Sequence, residues 1–168
     1  MIDNVRFALA FVSALGSGLI AGVFFAFSAF VMKALARLPA AQGIAAMQSI
    51  NVVVVNRVFL SVFVGTAAAC AALAIASVFM WSKRGTVPLL VGSLIYLVGT
   101  MLVTAVFHIP RNDALAAADP AKPDAARLWA DYIESWTTWN HVRTIAALAA
   151  SGSLVLGLGE LNLLRASA

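Results

Sequence analysis

Four strongly apolar stretches of this chain stand out, each without a single charge: residues 7–32, 58–82, 85–109 and 144–159. A helix needs roughly 20 apolar residues to cross a hydrocarbon core of about 30 Å. The first three stretches are ample and can tilt. The fourth is short. It must borrow a turn from residues 139–143, or extend past Glu160 through residues 161–164. Either way, polar residues sit at or inside the membrane interface. The expected fold is all-α: an integral membrane, up-and-down four-helix bundle with an amphipathic interfacial helix before the fourth span. A single transmembrane domain covers residues 1–168, with spans near 7–32, 56–81, 86–108 and 141–163.

Composition supports lipid as the solvent. Only 11% of residues are charged, 62% are hydrophobic, and mean hydropathy is +0.96. A soluble domain carries about a quarter charged residues. The net charge of +4 and the pI of about 9.8 come from bases spread thinly between apolar runs. Such bases set topology or touch anionic headgroups, and no basic run or motif points to nucleic acid. The one cysteine, Cys70, lies deep in an apolar run and reads as a small buried hydrophobe. The N-terminal run is much longer than the core of a signal peptide and reads as a retained helix.

The connectors differ. Pro39 starts a short helix, expected over residues 40–55 and leading into the second span. Residues 82–85 form a tight turn. Ile109-Pro110 ends the third helix, because the residue before proline disfavours helical geometry. Asn112 or Asp113 then caps a short helix through Ala118. From Asp124, the residues Leu128, Trp129, Tyr132, Ile133 and Trp136 form the apolar face of a helix suited to a bilayer surface. In the first span, Ala14, Gly18, Gly22 and Ala26 make a small-residue stripe, for packing inside the bundle or, alternatively, for a homo-oligomer. Orientation signals conflict. Lys33, Arg37, Arg57, Arg111, Lys122, Arg127 and Arg143 lie on one side; Arg6, Lys83, Arg84 and Arg165 lie on the other. The short connector with Lys83 and Arg84 is where positive-inside counting works best. That favours both termini in the cytoplasm, in a multi-pass protein of a bacterial inner membrane.

Up-and-down topology brings polar residues to one side. It gathers Asn51, Asn56, Arg57, His108, Asn112, Trp136, Trp139, Asn140, His141, Arg143 and Thr144 there, including both histidines of the chain. Ionisable groups near hydrocarbon are costly, so their clustering marks a site. Trp136, Asn140 and Arg143 or Thr144 share one helix face, with His141 beside it, and Phe24, Phe27 and Phe30 fall along the end of the first span. Together they make an aromatic-walled pocket with a base and several hydrogen-bond donors. The ordinary structural readings stand beside this one. Tryptophans form interface belts, arginines snorkel, asparagines bond between helices, and His108 supports a helix break. Two separate histidines without metal-binding spacing give no metal site.

At these residues the chain resembles a known family. The stretches Gly22-Val23-Phe24-Phe25-Ala26-Phe27-Ser28, Phe30-Val31-Met32, and Met47-Gln48-Ser49-Ile50-Asn51 followed by Asn56 are similar to the anthrone oxygenases. So are Ile109-Pro110-Arg111-Asn112-Asp113-Ala114-Leu115 and, most specifically, Trp136-Thr137-Thr138-Trp139-Asn140-His141-Val142-Arg143-Thr144. The family consists of small four-helix membrane proteins. Some members oxidise anthrones, which are polycyclic phenols, to anthraquinones with molecular oxygen, and no metal or flavin cofactor is implied. Carried over, the resemblance makes His141 the catalytic base. Asn56, Asn140 and Arg143 steady the oxyanion. Trp136, Trp139 and Phe27 stack on the rings. The polar cluster itself, apart from the resemblance, adds His108 and Asn112 to the substrate-binding set. One departure is that the resemblance leads one to expect Asn, in Phe-Asn-x-Pro, where this chain has His108.

Two functions follow from the sequence. One is an oxygenase acting on a lipophilic aromatic, with that substrate, molecular oxygen and membrane lipids as partners. The other is a non-catalytic membrane protein that binds a small lipophile or a partner subunit. Transport is weaker, since no internal repeat or intramembrane chain of acids is present.

Overall fold

The computed structural model describes residues 2–166, with side chains described for residues 4–161. Arg165, counted above for orientation, lies outside the described side chains. Five helices follow in order. Helix α1 consists of Ile2–Ala26, a π-helical turn at Phe27–Val31, and Met32–Leu35. Helix α2 is Ala40–Val53 and α3 is Arg57–Phe79. Helix α4 is Thr86–Ala116, with π-helical stretches at Leu97–Leu102 and Thr104–His108. Helix α5 is Ala125–Ala166. Four of them, all but α2, are long and apolar enough to cross a membrane. Lipid offers no hydrogen bonds to the backbone, so helices that satisfy their own are the form such runs must take.

The four spans form a square. Helix α1 packs against α3 and α5, and α4 packs against the same two, so α3 and α5 face each other only across the diagonal. The second and fourth spans therefore do not pack side by side. The fourth span closes the ring on the first instead.

Lipid is as apolar as leucine, so close backbone approach, more than apolar burial, holds these seams. A Cβ at Gly92 would lie 2.9 Å from the Ala150 carbonyl oxygen and 2.9 Å from Leu154, and one at Gly99 would lie 2.5 Å from Ala146. These glycines let α4 meet α5. On the α1–α5 seam, Ser151 donates to the Ala14 carbonyl at 2.9 Å. The small-residue stripe of α1 thus packs inside the bundle through Ala14 and Gly18, whereas Gly22 is exposed with open space around it.

Three connectors differ from expectation. Helix α4 does not stop at Pro110. The π-helical stretch before it shifts the backbone register, leaving Pro110 in the first turn of the segment Ile109–Ala116, where its missing N–H is tolerated. The Arg111 side chain turns back to donate to the Phe107 carbonyl at 2.7 Å. Helix α2 stops at Val53, and Asn56 starts α3 as its N-cap, accepting from the Phe59 amide at 3.0 Å. The amphipathic segment after Asp124 is no separate interfacial helix; it forms the first turns of α5. Its apolar face meets protein rather than lipid. Trp129, Tyr132 and Trp136 pack with Met32, Ile44, Met47 and Leu115, and Gly43 lies so close to the Trp129 ring that a Cβ would approach within 2.7 Å. Gln48 locks this cap by donating to the Leu115 and Ala118 carbonyls at 2.8 and 3.1 Å, which satisfies free groups at the end of α4.

The opposite end is closed by polar contacts. Gly85 takes a φ of 76° in the turn, and its amide donates to Glu160 at 2.7 Å. Arg6 is buried and donates to Thr86 at 3.1 Å. The start of α1 and the Lys83–Arg84 turn therefore share one end of the bundle, and the α2 cap lies at the other.

Replacing Gly92 by Val should lower stability by about 1–3 kcal/mol, the usual cost of overpacking a close contact. Gly22→Ala should not lower it. Denaturation midpoints in detergent check both. Equal midpoints for wild type and Gly92→Val would mean that the α4–α5 seam is looser than described.

Candidate functional site

Beneath the cap, the four spans leave a cavity of about 230 Å³. Its walls are mostly apolar and aromatic. Phe24 and Phe27 come from α1, Phe59 and Phe63 from α3, Trp136 from α5, and Met47 and Ile50 from α2. Val55, Leu60 and Ile109 also line it and are exposed, so its rim meets the lipid-facing surface between the start of α3 and the end of α4. The polar groups on its wall are Asn51, Thr104, His108, Asn112 and Arg143.

Arg143 dominates the site. Its residue is only 5% exposed. One guanidinium nitrogen donates to Asn140 Oδ1 at 2.7 Å and another to Thr104 at 3.1 Å. The guanidinium lies over the Phe24 ring at 4.1 Å and near the Trp136 ring at 5.3 Å. Nε has no hydrogen-bond partner. Among the described residues no carboxylate pairs with it; the ion pair there is Arg127–Asp131, on the surface. The site thus holds a buried cation, supported by neutral acceptors and aromatic faces.

Asn140 positions this cation. It is fully buried, and its amide nitrogen donates to the Phe24 carbonyl and to Ser28 Oγ, both at 2.8 Å. Ser28 also pairs with Thr144 at 3.2 Å. Ser28 lies in the π-helical turn of α1, and Thr104 and His108 lie in the second π-helical stretch of α4. Such turns shift the phase of a helix and occur often at functional sites.

His108 is 1% exposed; neither ring nitrogen meets a partner in full hydrogen-bond geometry, though the Val103 and Trp136 backbone carbonyls lie beside the ring. Its ring meets Trp136 edge to face at 5.0 Å. The Trp136 indole N–H donates to Asn112 Oδ1 at 3.0 Å, and the Tyr132 hydroxyl donates to the same oxygen at 2.9 Å. Asn112 therefore does not cap a helix; it holds two aromatic side chains of α5 in place.

The remaining expected site residues lie elsewhere. His141 is exposed, against Lys33, Thr138 and Ile145 on the outer face of the α1–α5 seam. One residue along a helix turns the side chain by about 100°, so the face that buries Asn140 and Arg143 turns His141 out. Asn56 is exposed, engaged as the cap of α3, and does not meet Asn140. Trp139 is half-buried outside the cavity, stacked on Phe107 at 3.3 Å. Phe27 lines the cavity, 5.6 Å from the Trp136 ring. Among the described residues no three His, Cys, Asp or Glu side chains gather to hold a metal.

The protein-family model described as "Anthrone oxygenase" matches residues 55–153. The chain belongs to the anthrone oxygenase family. No curated protein and no solved structure matches it. The region matched to the family carries His108, Asn112, Trp136, Asn140 and Arg143, and with them most polar groups of the cavity. It leaves out α1 and α2, which supply Phe24, Phe27, Ser28, Met47 and Asn51.

Sequence reading did not single out Ser28 and Thr104. A signal existed for Thr104, four residues before His108 and so on the same helix face. Ser28 ended the family-like stretch 22–28, but as one of several hydroxyls in apolar helix it carried no assigned role.

Asn140→Ala removes three hydrogen bonds at once. It should lower stability by about 1–3 kcal/mol for each buried partner left unsatisfied. Asn56→Ala should cost about 1 kcal/mol as a lost cap, and His141→Ala less than about 0.5 kcal/mol as a surface change. Denaturation in detergent ranks the three. A His141 variant less stable than the Asn140 variant would contradict the geometry.

Proposed function

We propose that the protein is an oxygenase of lipophilic polycyclic phenols, and that the cavity beneath the cap holds the substrate as its anion. The observation that carries this reading is Arg143: a buried guanidinium without a carboxylate partner among the described residues, facing an apolar, aromatic cavity. A buried charge without a counter-ion is costly, and an anionic ligand relieves that cost. Flat aromatic walls and a rim of apolar side chains at lipid level suit a ring system that arrives from the membrane. Family membership supports the reaction class.

For an anthrone the chemistry is as follows. Loss of one proton gives an electron-rich anion whose oxygen pairs with Arg143. The anion transfers an electron to molecular oxygen, and the resulting radicals join at the ring carbon to form a hydroperoxide. Loss of the second proton from that carbon breaks the O–O bond and leaves a carbonyl. In sum, a CH₂ group and O₂ become C=O and water. The side chains orient the substrate and stabilise its anion. No cofactor is part of this proposal.

Arg143→Lys should weaken binding of a dihydroxyanthrone at least about tenfold, because a lysine can neither bond to Asn140 and Thr104 together nor stack on Phe24. Tryptophan fluorescence quenching without oxygen measures binding, and an oxygen electrode measures turnover. Binding without oxygen uptake by the wild type would leave a non-catalytic lipophile-binding protein. Equal affinity for wild type and Arg143→Lys would remove Arg143 from the site.

The proposal extends to orientation in a bacterial inner membrane, with the Lys83–Arg84 turn and both termini in the cytoplasm. The basic short connector supports it. A cysteine at Ser82 should resist impermeant thiol reagents in intact cells and react after lysis; the native Cys70 is buried. Labelling from outside would reverse the orientation.

A further inference from the structure

We infer that His108 is the proton acceptor of this site, taking the proton that the bound phenol or enol loses. The inference rests on the anion-binding reading of the cavity and adds to it the group that makes the anion.

A buried imidazole ordinarily has both ring nitrogens satisfied. His108 has neither in full hydrogen-bond geometry, although it is 1% exposed and lines the cavity; backbone carbonyls of Val103 and Trp136 lie beside its ring. The edge-to-face contact with Trp136 at 5.0 Å packs the ring from one side. A neutral imidazole offers one N–H and one lone pair. A backbone carbonyl can accept the N–H but cannot donate to the other nitrogen, so the lone pair has no protein donor.

Elimination among the cavity's own groups leads to the same residue. Arg143 is already a cation. Asn51, Asn112 and Thr104 are not bases. No carboxylate lines the cavity. The nearby Tyr132 hydroxyl is donated to Asn112. The charged groups facing His108 are Arg143 from α5 and Arg111 from its own helix. Both oppose a lone imidazolium, so proton uptake has to coincide with formation of an anion. A bound acid supplies one, whereas water alone does not. His141, the other imidazole of the chain, is exposed on the outer face and lines no part of this cavity.

The proton count closes over one turnover. The substrate O–H or C–H breaks as N–H forms on His108, and the charge left behind pairs with Arg143. After oxygen adds, the imidazolium returns its proton to the peroxide oxygen. The neutral imidazole then takes the remaining C–H proton as the carbonyl forms and the O–O bond breaks. It gives that proton to the departing hydroxide, which leaves as water. Catalysis by a positioned base contributes about 10²–10⁴-fold.

The test uses full-length protein in detergent and 1,8-dihydroxyanthrone as the probe. Without oxygen, the wild type should bind the probe and show the red-shifted absorbance of its anion. His108→Asn should still bind but lack the anion band, and oxygen uptake should fall about 100-fold or more. His108→Ala should behave likewise and regain part of its turnover with added imidazole. His141→Ala should match the wild type. Wild-type protein with ¹⁵N-labelled histidine gives a reading that no folding defect can confuse: one imidazole should become an imidazolium when the probe is added. An anion band and turnover retained in both His108 variants would overturn His108 as the acceptor while leaving the cavity as the site. So would the loss of probe binding in both variants, or an unchanged histidine spectrum in the wild type. Failure of the wild type to bind the probe would overturn the site itself, and this inference with it.

Discussion

A guanidinium buried at membrane depth must be supported on every side, and the cap end of this bundle is organised around that constraint. Arg143 reaches Thr104 on α4, Asn140 on its own helix and the Phe24 ring on α1. Asn140 in turn ties α5 to α1 through Phe24 and Ser28. One cation and one amide thus link three of the four spans. Inter-helix hydrogen bonds in membranes average about 0.6 kcal/mol each. Their value here lies less in total stability than in fixing where the charge sits. They leave Arg143 Nε without a protein acceptor in a residue that lines the cavity.

The π-helical turns make this arrangement possible. In a regular α-helix, side chains four apart align along one stripe, and small residues on that stripe are claimed by the packing seams. The turn at Phe27–Val31 and the stretches between Leu97 and His108 insert extra residues and shift the phase. Gly92, before them, and Gly99, within the first stretch of α4, hold α4 against α5. Thr104 and His108, within the second, face the space between the helices. The same shift explains how α4 continues through Pro110 and delivers Asn112 to Tyr132 and Trp136.

The cap converts an open bundle end into a site. Helix α2 covers the inner faces of α1 and α5 with Ile44 and Met47, and Gln48 fastens it to the end of α4. Trp129 and Trp136, which resemble an interface belt in the sequence, are enclosed by this cover. The family match begins only at Val55. The buried His108 and Arg143 of the cavity therefore lie in the matched region, while α1 and α2 contribute part of its apolar lining.

Four spans, their up-and-down order and the gathering of polar residues at one end were legible in the sequence, because hydropathy and chain reversal are local properties. The inward face of Trp136, Asn140 and Arg143 was legible too, since their spacing fits one side of a regular helix. The family was legible in the Trp-Asn-His-x-Arg-Thr block. The rest depended on contacts between distant segments. Asn56 looked like an oxyanion donor but is engaged in starting α3. His141 follows Asn140 directly, yet the rotation of about 100° per residue turns it to the outside once Asn140 is fixed against α1. His108 read either as a binding residue of the polar cluster or as support for a helix end, and the structure places it in a π-helical stretch on the cavity wall. Sequence determined which segments enter the membrane, because each segment's transfer into lipid depends on its own side chains. Tertiary structure decided which polar groups share the site, because that depends on helix phase and on which neighbours take up each hydrogen bond.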